Sequence, residues 1–267
     1  MDAYPMADVR TNPEFHYEPI NDKEQNTSMN YEELDYRQTP IGELLLRRRR
    51  LLQLGGLEVY EVKLGDYFLM SSLFHDAEVQ LAKLGLGALE RSELDVVVGG
   101  LGLGYTAVAA LEDKRIRSLV VVEYLEGVID WHRTGLVPLG STLTKDARCQ
   151  LVNADFFAMS RDVTQSFDPE NPMGRHDAIL LDIDHTPANV LHQTNTRFYT
   201  KEGLRELSLH LKPGGVFALW ADGAPEDAFT AQLGKVFETA EAHTITFENP
   251  VLGGTSEGAV YVAKVKE

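Results

Sequence analysis

Between Thr39 and Ser72 the chain runs through short β-prone segments, GELLLRRRR, LEVYEVKLG and YFLMSS, separated by turn signals at Gly55-Gly56 and Gly65-Asp66. That rhythm predicts a small antiparallel sheet of about three strands. Val79, Leu81, Ala82, Leu84 and Leu86 then recur at helical spacing, so a helix is predicted over 76–89 with Asp76 as its cap. From Leu94 the pattern changes. DVVVGG, SLVVVEY and DAILLDID are unbroken apolar runs that end in glycine or an acid, and helical stretches lie between them. Strands buried on both faces read this way, and their alternation with helices implies a parallel sheet. A fourth run, GGVFALW, follows a helical stretch at 201–211, and HTITFENPVLGGTSEGAVYVAKV reads as a C-terminal antiparallel hairpin.

These patterns divide the chain into three parts. Residues 1–35 are polar, acidic and aperiodic and are expected to form a tail. Residues 36–90 form a small β domain with its linking helix, and residues 91–267 form an α/β domain with a nucleotide site.

Composition narrows the function classes. The 267 residues carry 25 Lys+Arg against 41 Asp+Glu, a formal net charge of −16, so a nucleic-acid backbone is repelled. The lone Cys149 excludes an internal disulfide framework and cysteine-based zinc sites, and is expected to be inert. No apolar run has the length of a membrane span and the N-terminal stretch lacks the features of a signal peptide, so a cytoplasmic protein with no membrane partner is expected. The Arg47–Arg50 run sits in a strand pattern, where alternate side chains point to opposite faces. Pairing with Glu or Asp is expected there rather than a polyanion patch.

Candidate chemistry gathers at the ends of the apolar runs. Gly99-Gly100-Leu101-Gly102-Leu103-Gly104 follows the first run and precedes a helix. Gly100, Gly102 and Gly104 permit a sharp strand-to-helix turn and close approach of backbone N–H groups to a ligand, although packing alone also uses glycine here. The spacing Gly-x-Gly-x-Gly differs from the Gly-x-Gly-x-x-Gly of pyrophosphate binders, which disfavours an NAD-dependent dehydrogenase. Glu123 closes the next run, where an acid can accept from both ribose hydroxyls. Asp155 closes a third, placed to bind an adenine amino group or to order its loop. Taken singly, each is an ordinary strand-end acid; together they mark a crevice at one edge of a parallel sheet.

This pattern, with the terminal hairpin, resembles the class I AdoMet-dependent methyltransferase fold. GGLGLG, VVEYLEGVI, NADFF, LLDIDHTP, FYTKEGLRELSLHLKPGGVFALW and the preceding β domain are together similar to the spermidine synthase family, the polyamine aminopropyltransferases, over residues 40–267. The resemblance implies that Glu123 holds the donor's ribose, Asp155 its adenine, and that Asp182 is the catalytic aspartate. It also implies a homodimer, as do the exposed apolar strands of the small domain. Three departures stand out. Gly102 replaces the aspartate that holds the ammonium tail of decarboxylated AdoMet, and His185 replaces the second aspartate of the Asp-x-x-Asp-Pro loop. The Asp-Gly-x-x-Gln and Tyr-x-Glu elements are replaced by MSSLFHDAEVQLAKLG, where Glu78 is the one retained acid.

An alkyl ammonium acceptor has a pKa of about 10 and needs a base or desolvation before it attacks a sulfonium. Asp182 is the expected base. Asp184 and His185 are its expected neighbours: on a continued strand Asp182 and Asp184 share a face and raise one pKa, the alternative being a simple turn before Pro187. Residues 185–199 are long enough for a lid, with His192, Gln193, Asn195 and Tyr199 as acceptor contacts. No metal is expected. Because Gly102 leaves the loop N–H groups to a donor that keeps its own carboxylate, methyl transfer from AdoMet to a small amine is favoured. The alternatives are aminopropyl transfer from decarboxylated AdoMet to a polyamine-like acceptor, and a non-catalytic binder of an adenosyl metabolite.

Overall fold

The computed structural model describes residues 30–267. Four strands come first: β1 (Tyr31–Thr39), β2 (Gly42–Leu51), β3 (Leu57–Leu64) and β4 (Tyr67–Ser71). They form an antiparallel sheet in sequence order. The helix α1 (Asp76–Gly87) links this sheet to the second domain. There follow β5 (Leu94–Gly99), α2 (Tyr105–Leu111), β6 (Ile116–Glu123), α3 (Glu126–Thr134), α4 (Gly140–Lys145), β7 (Cys149–Asn153), α5 (Phe156–Arg161) and β8 (His176–Leu181). The chain closes with α6 (Lys201–Ser208), β9 (Leu211–Asp222), α7 (Asp227–Leu233), β10 (Thr239–Glu248) and β11 (Thr255–Lys264).

The second sheet has seven strands in the order β10-β11-β9-β8-β5-β6-β7. β6, β7, β8 and β9 join β5 in parallel register, and β11 and β10 close the edge antiparallel. The continuous apolar runs have the physical cause expected of them. Val96 and Val98 enter a core shared with α1, α2 and α3, whereas Val97 enters the core on the other face with Phe156, Phe198 and Phe217. Leaving β5, the chain crosses to β6 on one side and returns to β8 on the other, so the sheet order reverses at β5 and a crevice opens beyond its carboxyl end.

The small sheet differs from expectation at its start. It has a fourth strand, β1, which takes residues 31–35 out of the expected tail; residues 1–29 of that tail lie outside the described residues. Charge pairing holds the ladder. Arg47 and Arg49 bond Glu61, Arg48 bonds Glu32 at 2.6 Å, and Arg50 bonds Glu58 at 2.9 Å. The arginine run is therefore neutralised within its own sheet. β1 also ties the sheet to the second domain: Trp131 Nε1 donates to Asp35 at 2.6 Å and Arg37 to Asp130 at 2.7 Å. Asp76 does not cap α1. His75 holds the cap position without a side-chain bond, while Asp76 and Glu78 sit in the first turn, where carboxylates favour the positive end of the helix. Among the described residues no helix is long and apolar enough to cross a membrane.

Candidate functional site

The turn after β5 is shaped by what its glycines avoid. Gly100 has φ +95°, and a Cβ there would lie 2.0 Å from the Asp182 carbonyl oxygen. Gly102 has φ +47°, and a Cβ there would lie 2.5 Å from Met70 Sδ. Glycine thus lets the turn lie against the end of β8 on one side and the small sheet on the other.

The N–H groups of this turn are used internally. Gly100 N donates to Val122 O at 2.9 Å, Leu101 N to Glu123 Oε2 at 3.0 Å, and Gly104 N to Leu101 O at 2.8 Å. Leu103 N donates to Met70 Sδ at 3.1 Å. The Gly102 carbonyl is 2.9 Å from His132 Nε2, which places the proton on Nε2 of a fully buried imidazole whose Nδ1 has no partner. Burial lowers the His132 pKa and keeps the ring neutral. His132 thus ties α3 to the glycine turn.

Glu123 is buried at the end of β6, with Oε1 accepting from Leu125 N at 2.8 Å and Oε2 from Leu101 N. Burial raises its pKa, and the N–H groups of Leu125, Leu101, Gly102 and Tyr124 pull it back down. Four main-chain N–H groups thus converge on the carboxylate at the end of β6. Asp155 is exposed and caps α5 through Ala158 N at 3.0 Å.

The end of β8 departs from expectation. The strand stops at Leu181, so Asp182 and Asp184 do not form a pair on one face. Asp182 Oδ2 accepts from Thr106 Oγ1 at 2.7 Å, and its charged neighbour is Glu78 on α1. Burial, then the charge of Asp182, push the Glu78 carboxyl up to about 8, with Asp76 and Asp222 adding to the repulsion. Burial raises Asp182 to about 6, opposed by the Thr106 hydroxyl. Two such carboxyls titrate as a unit. Among the described residues no Lys or Arg pairs with either acid.

Asp184 faces into the segment that follows it. It accepts from Leu191 N at 2.7 Å, from Asn195 Nδ2 at 2.9 Å and from the Tyr199 hydroxyl at 2.8 Å. Asp184, expected as a neighbour of the base, and Asn195 and Tyr199, expected as acceptor contacts, are all buried and form an internal tie. His192 caps the 3-10 helix Gln193–Tyr199 by accepting from Thr194 N, and Gln193 is exposed at its start. Phe198 and Tyr199 enter the core, so residues 185–199 are anchored rather than a loose lid. The His185 carbonyl accepts from Asp222 N at 2.7 Å.

Among the described residues no three His, Cys, Asp or Glu side chains gather as metal ligands. Burial pushes the Cys149 thiol up to about 12, far from a nucleophile's range. Two surface clefts lie elsewhere, one lined by Val163, Met173 and His210 and the other by Lys83, Glu112 and Arg115. Neither gathers strand-end carboxylates, and the candidate site stays at the ends of β5, β6 and β8. Thr106, His132 and Met70 carry no sequence signal, because each acquires its role through contacts distant along the chain.

Raised carboxyl pKa values have a stability consequence with a definite sign. The ordinary value for Glu78 is 4.5, and folding raises it to about 8, so the native state keeps a proton that the unfolded chain releases. Its contribution is fully present below 4.5 and is lost as pH rises through about 8. Glu78→Gln removes that titration. Its melting temperature, relative to wild type, is expected to be higher at pH 9 than at pH 5, a gain of about 1–3 kcal/mol at the alkaline end. An equal difference at both pH values overturns the assignment of the buried proton to Glu78.

No protein-family profile and no curated protein sequence matches the chain. Solved structures do. A spermidine synthase from Thermotoga maritima superimposes with a TM-score of 0.66 at 17% identity, over 87% of this chain and 72% of its own. A spermidine synthase in complex with the transition state analogue AdoDATO gives 0.65 at 16%, over 87% and 72%. A probable spermidine synthase from Corynebacterium glutamicum gives 0.58 at 14%, over 86% and 79%. Likeness at these identities concerns architecture, and it covers both sheets: the chain has the spermidine synthase fold, a small antiparallel sheet followed by the class I methyltransferase-type α/β domain.

Proposed function

We propose that this protein is a transferase that moves an aminopropyl group from decarboxylated AdoMet to a small amine. The observation that carries the reading is the pair of a buried Glu78 and a half-buried Asp182 at the glycine turn, with no Lys or Arg beside them among the described residues. Burying acids so is costly unless a ligand cation completes the set, and an ammonium group supplies that cation.

The sequence alone favours methyl transfer, on the premise that the turn offers free N–H groups to a donor carboxylate. That premise is weakened: the N–H groups of Gly100, Leu101, Leu103 and Gly104 are all taken. Methyl transfer stays as a second reading because Gly102 supplies no carboxylate of its own. The fold neighbours, two spermidine synthases and one probable spermidine synthase, support the aminopropyl reading.

In the proposed reaction Glu123 accepts from the donor's ribose hydroxyls and Asp155 lies at the adenine side. The acceptor amine reaches the site as an ammonium held by Glu78 and Asp182. Asp182 takes its proton, a task its raised pKa suits better than an ordinary aspartate's. The nitrogen lone pair then attacks the propyl carbon bonded to sulfur. The C–S bond breaks, its electrons return to sulfur, and a neutral thioether leaves.

Incubating the protein with each donor and a panel of diamines, then weighing the products by mass spectrometry, tests the reading. An aminopropyl adduct from decarboxylated AdoMet is expected. A methyl adduct from AdoMet, with none from the decarboxylated donor, overturns it in favour of the second reading.

A further inference from the structure

The sheet order fixes where the donor's tail must run. Glu123 ends β6 and Asp182 ends β8, with β5 between these two strands. A donor with its ribose at Glu123 and its reactive carbon facing Asp182 therefore lays its sulfonium and third substituent across the turn that follows β5. The turn's surface there is contributed by another domain. Met70, from β4 of the small sheet, places Sδ 3.1 Å from Leu103 N and fills the space beside Gly102 that a side chain would need. Of the turn N–H groups, Leu103's is the one satisfied neither by main chain nor by Glu123.

We propose that Met70 is a donor-specificity residue, excluding a tail that bears a carboxylate. A carboxylate entering this position gives up its water and must find N–H donors. It meets a thioether, which is apolar and donates nothing, seated on the N–H that would have served it. The Asp182 carboxylate repels it further. A tail ending in ammonium needs no N–H group and gains from both acids. The discrimination thus combines a steric and polar block from the small sheet with attraction from the α/β domain. The inference rests on the transferase reading above and adds to it a residue that touches the tail without touching the reacting carbon.

Calorimetric titration of the full chain with AdoMet and with decarboxylated AdoMet tests it, using wild type, Met70→Ala and Met70→Ser. Wild type is expected to bind the decarboxylated donor more tightly. In Met70→Ala the AdoMet affinity is expected to rise by about tenfold or more, as an uncovered N–H and free space become available, while the decarboxylated donor changes by less than about threefold. Met70→Ser opens the same space and carries the test if the alanine variant does not fold. A ratio of the two affinities that stays within about twofold of wild type in a folded variant overturns the Met70 assignment and leaves the transferase reading standing. Binding of neither donor by wild type overturns both.

Discussion

Asp182→Asn is expected to lower turnover by about 10²–10⁴-fold while leaving donor affinity within about threefold of wild type. The reasoning is geometric. Asp182 Oδ2 accepts from Thr106 Oγ1 at 2.7 Å, and an asparagine oxygen keeps that bond, so the end of β8 retains its shape. What asparagine cannot do is take a proton. It also removes one of the two charges that hold the acceptor ammonium, so acceptor KM rises as kcat falls. Single-turnover kinetics with saturating donor separate the two effects. Turnover within about tenfold of wild type overturns Asp182 as the base. Unaltered acceptor affinity would contradict its place in the ammonium site. Burial raises Asp182 to about 6, and Glu78, raised to about 8, still holds its proton as Asp182 ionises, so Glu78→Gln is expected to leave the rising limb of the rate against pH in place.

The buried strands were readable in the sequence because burial on both faces leaves no polar position to interrupt the run, as in Val96–Val98 and Ala178–Leu181. β1 was not. As an edge strand with one neighbour it keeps YEELDYRQT largely polar and partly exposed, and its docking depends on Asp35 meeting Trp131 and Arg37 meeting Asp130, far along the chain. The site divides the same way. Strand-end acids announce themselves by position, so the places of Glu123, Asp155 and Asp182 along the fold were legible as candidates. The direction in which an acid points was not, because it depends on where the strand stops. Nor could the sequence reveal that Asp182 lies within reach of a second acid, Glu78, from a helix in another part of the chain, or that Met70, one apolar residue in an apolar strand, covers the glycine turn.

Asp184→Ala is expected to cost on the order of 3 kcal/mol or more of folding stability, the largest loss among these substitutions. Its carboxylate gathers Leu191 N, Asn195 Nδ2 and the Tyr199 hydroxyl, and Asp184, Asn195 and Tyr199 are buried. Removing the acceptor leaves several donors unpaired in the interior, which costs more than the bonds themselves contribute. The Tyr199 pKa is driven well above its ordinary 10 by burial and by the Asp184 charge, so the phenol stays a donor throughout the working range and cannot replace the lost acceptor. Tyr199→Phe removes one donor together with its need, so a smaller loss of about 1 kcal/mol is expected, and the double variant should lose less than the sum. Urea denaturation of the four proteins measures this cycle. It also separates the two aspartates of one short segment: Asp182→Asn should lose turnover with little loss of stability, and Asp184→Ala should lose stability first. If Asp184→Ala folds as stably as wild type yet fails in turnover, Asp184 faces the reaction after all, and the tie to Asn195 and Tyr199 is not what holds residues 185–199 in place.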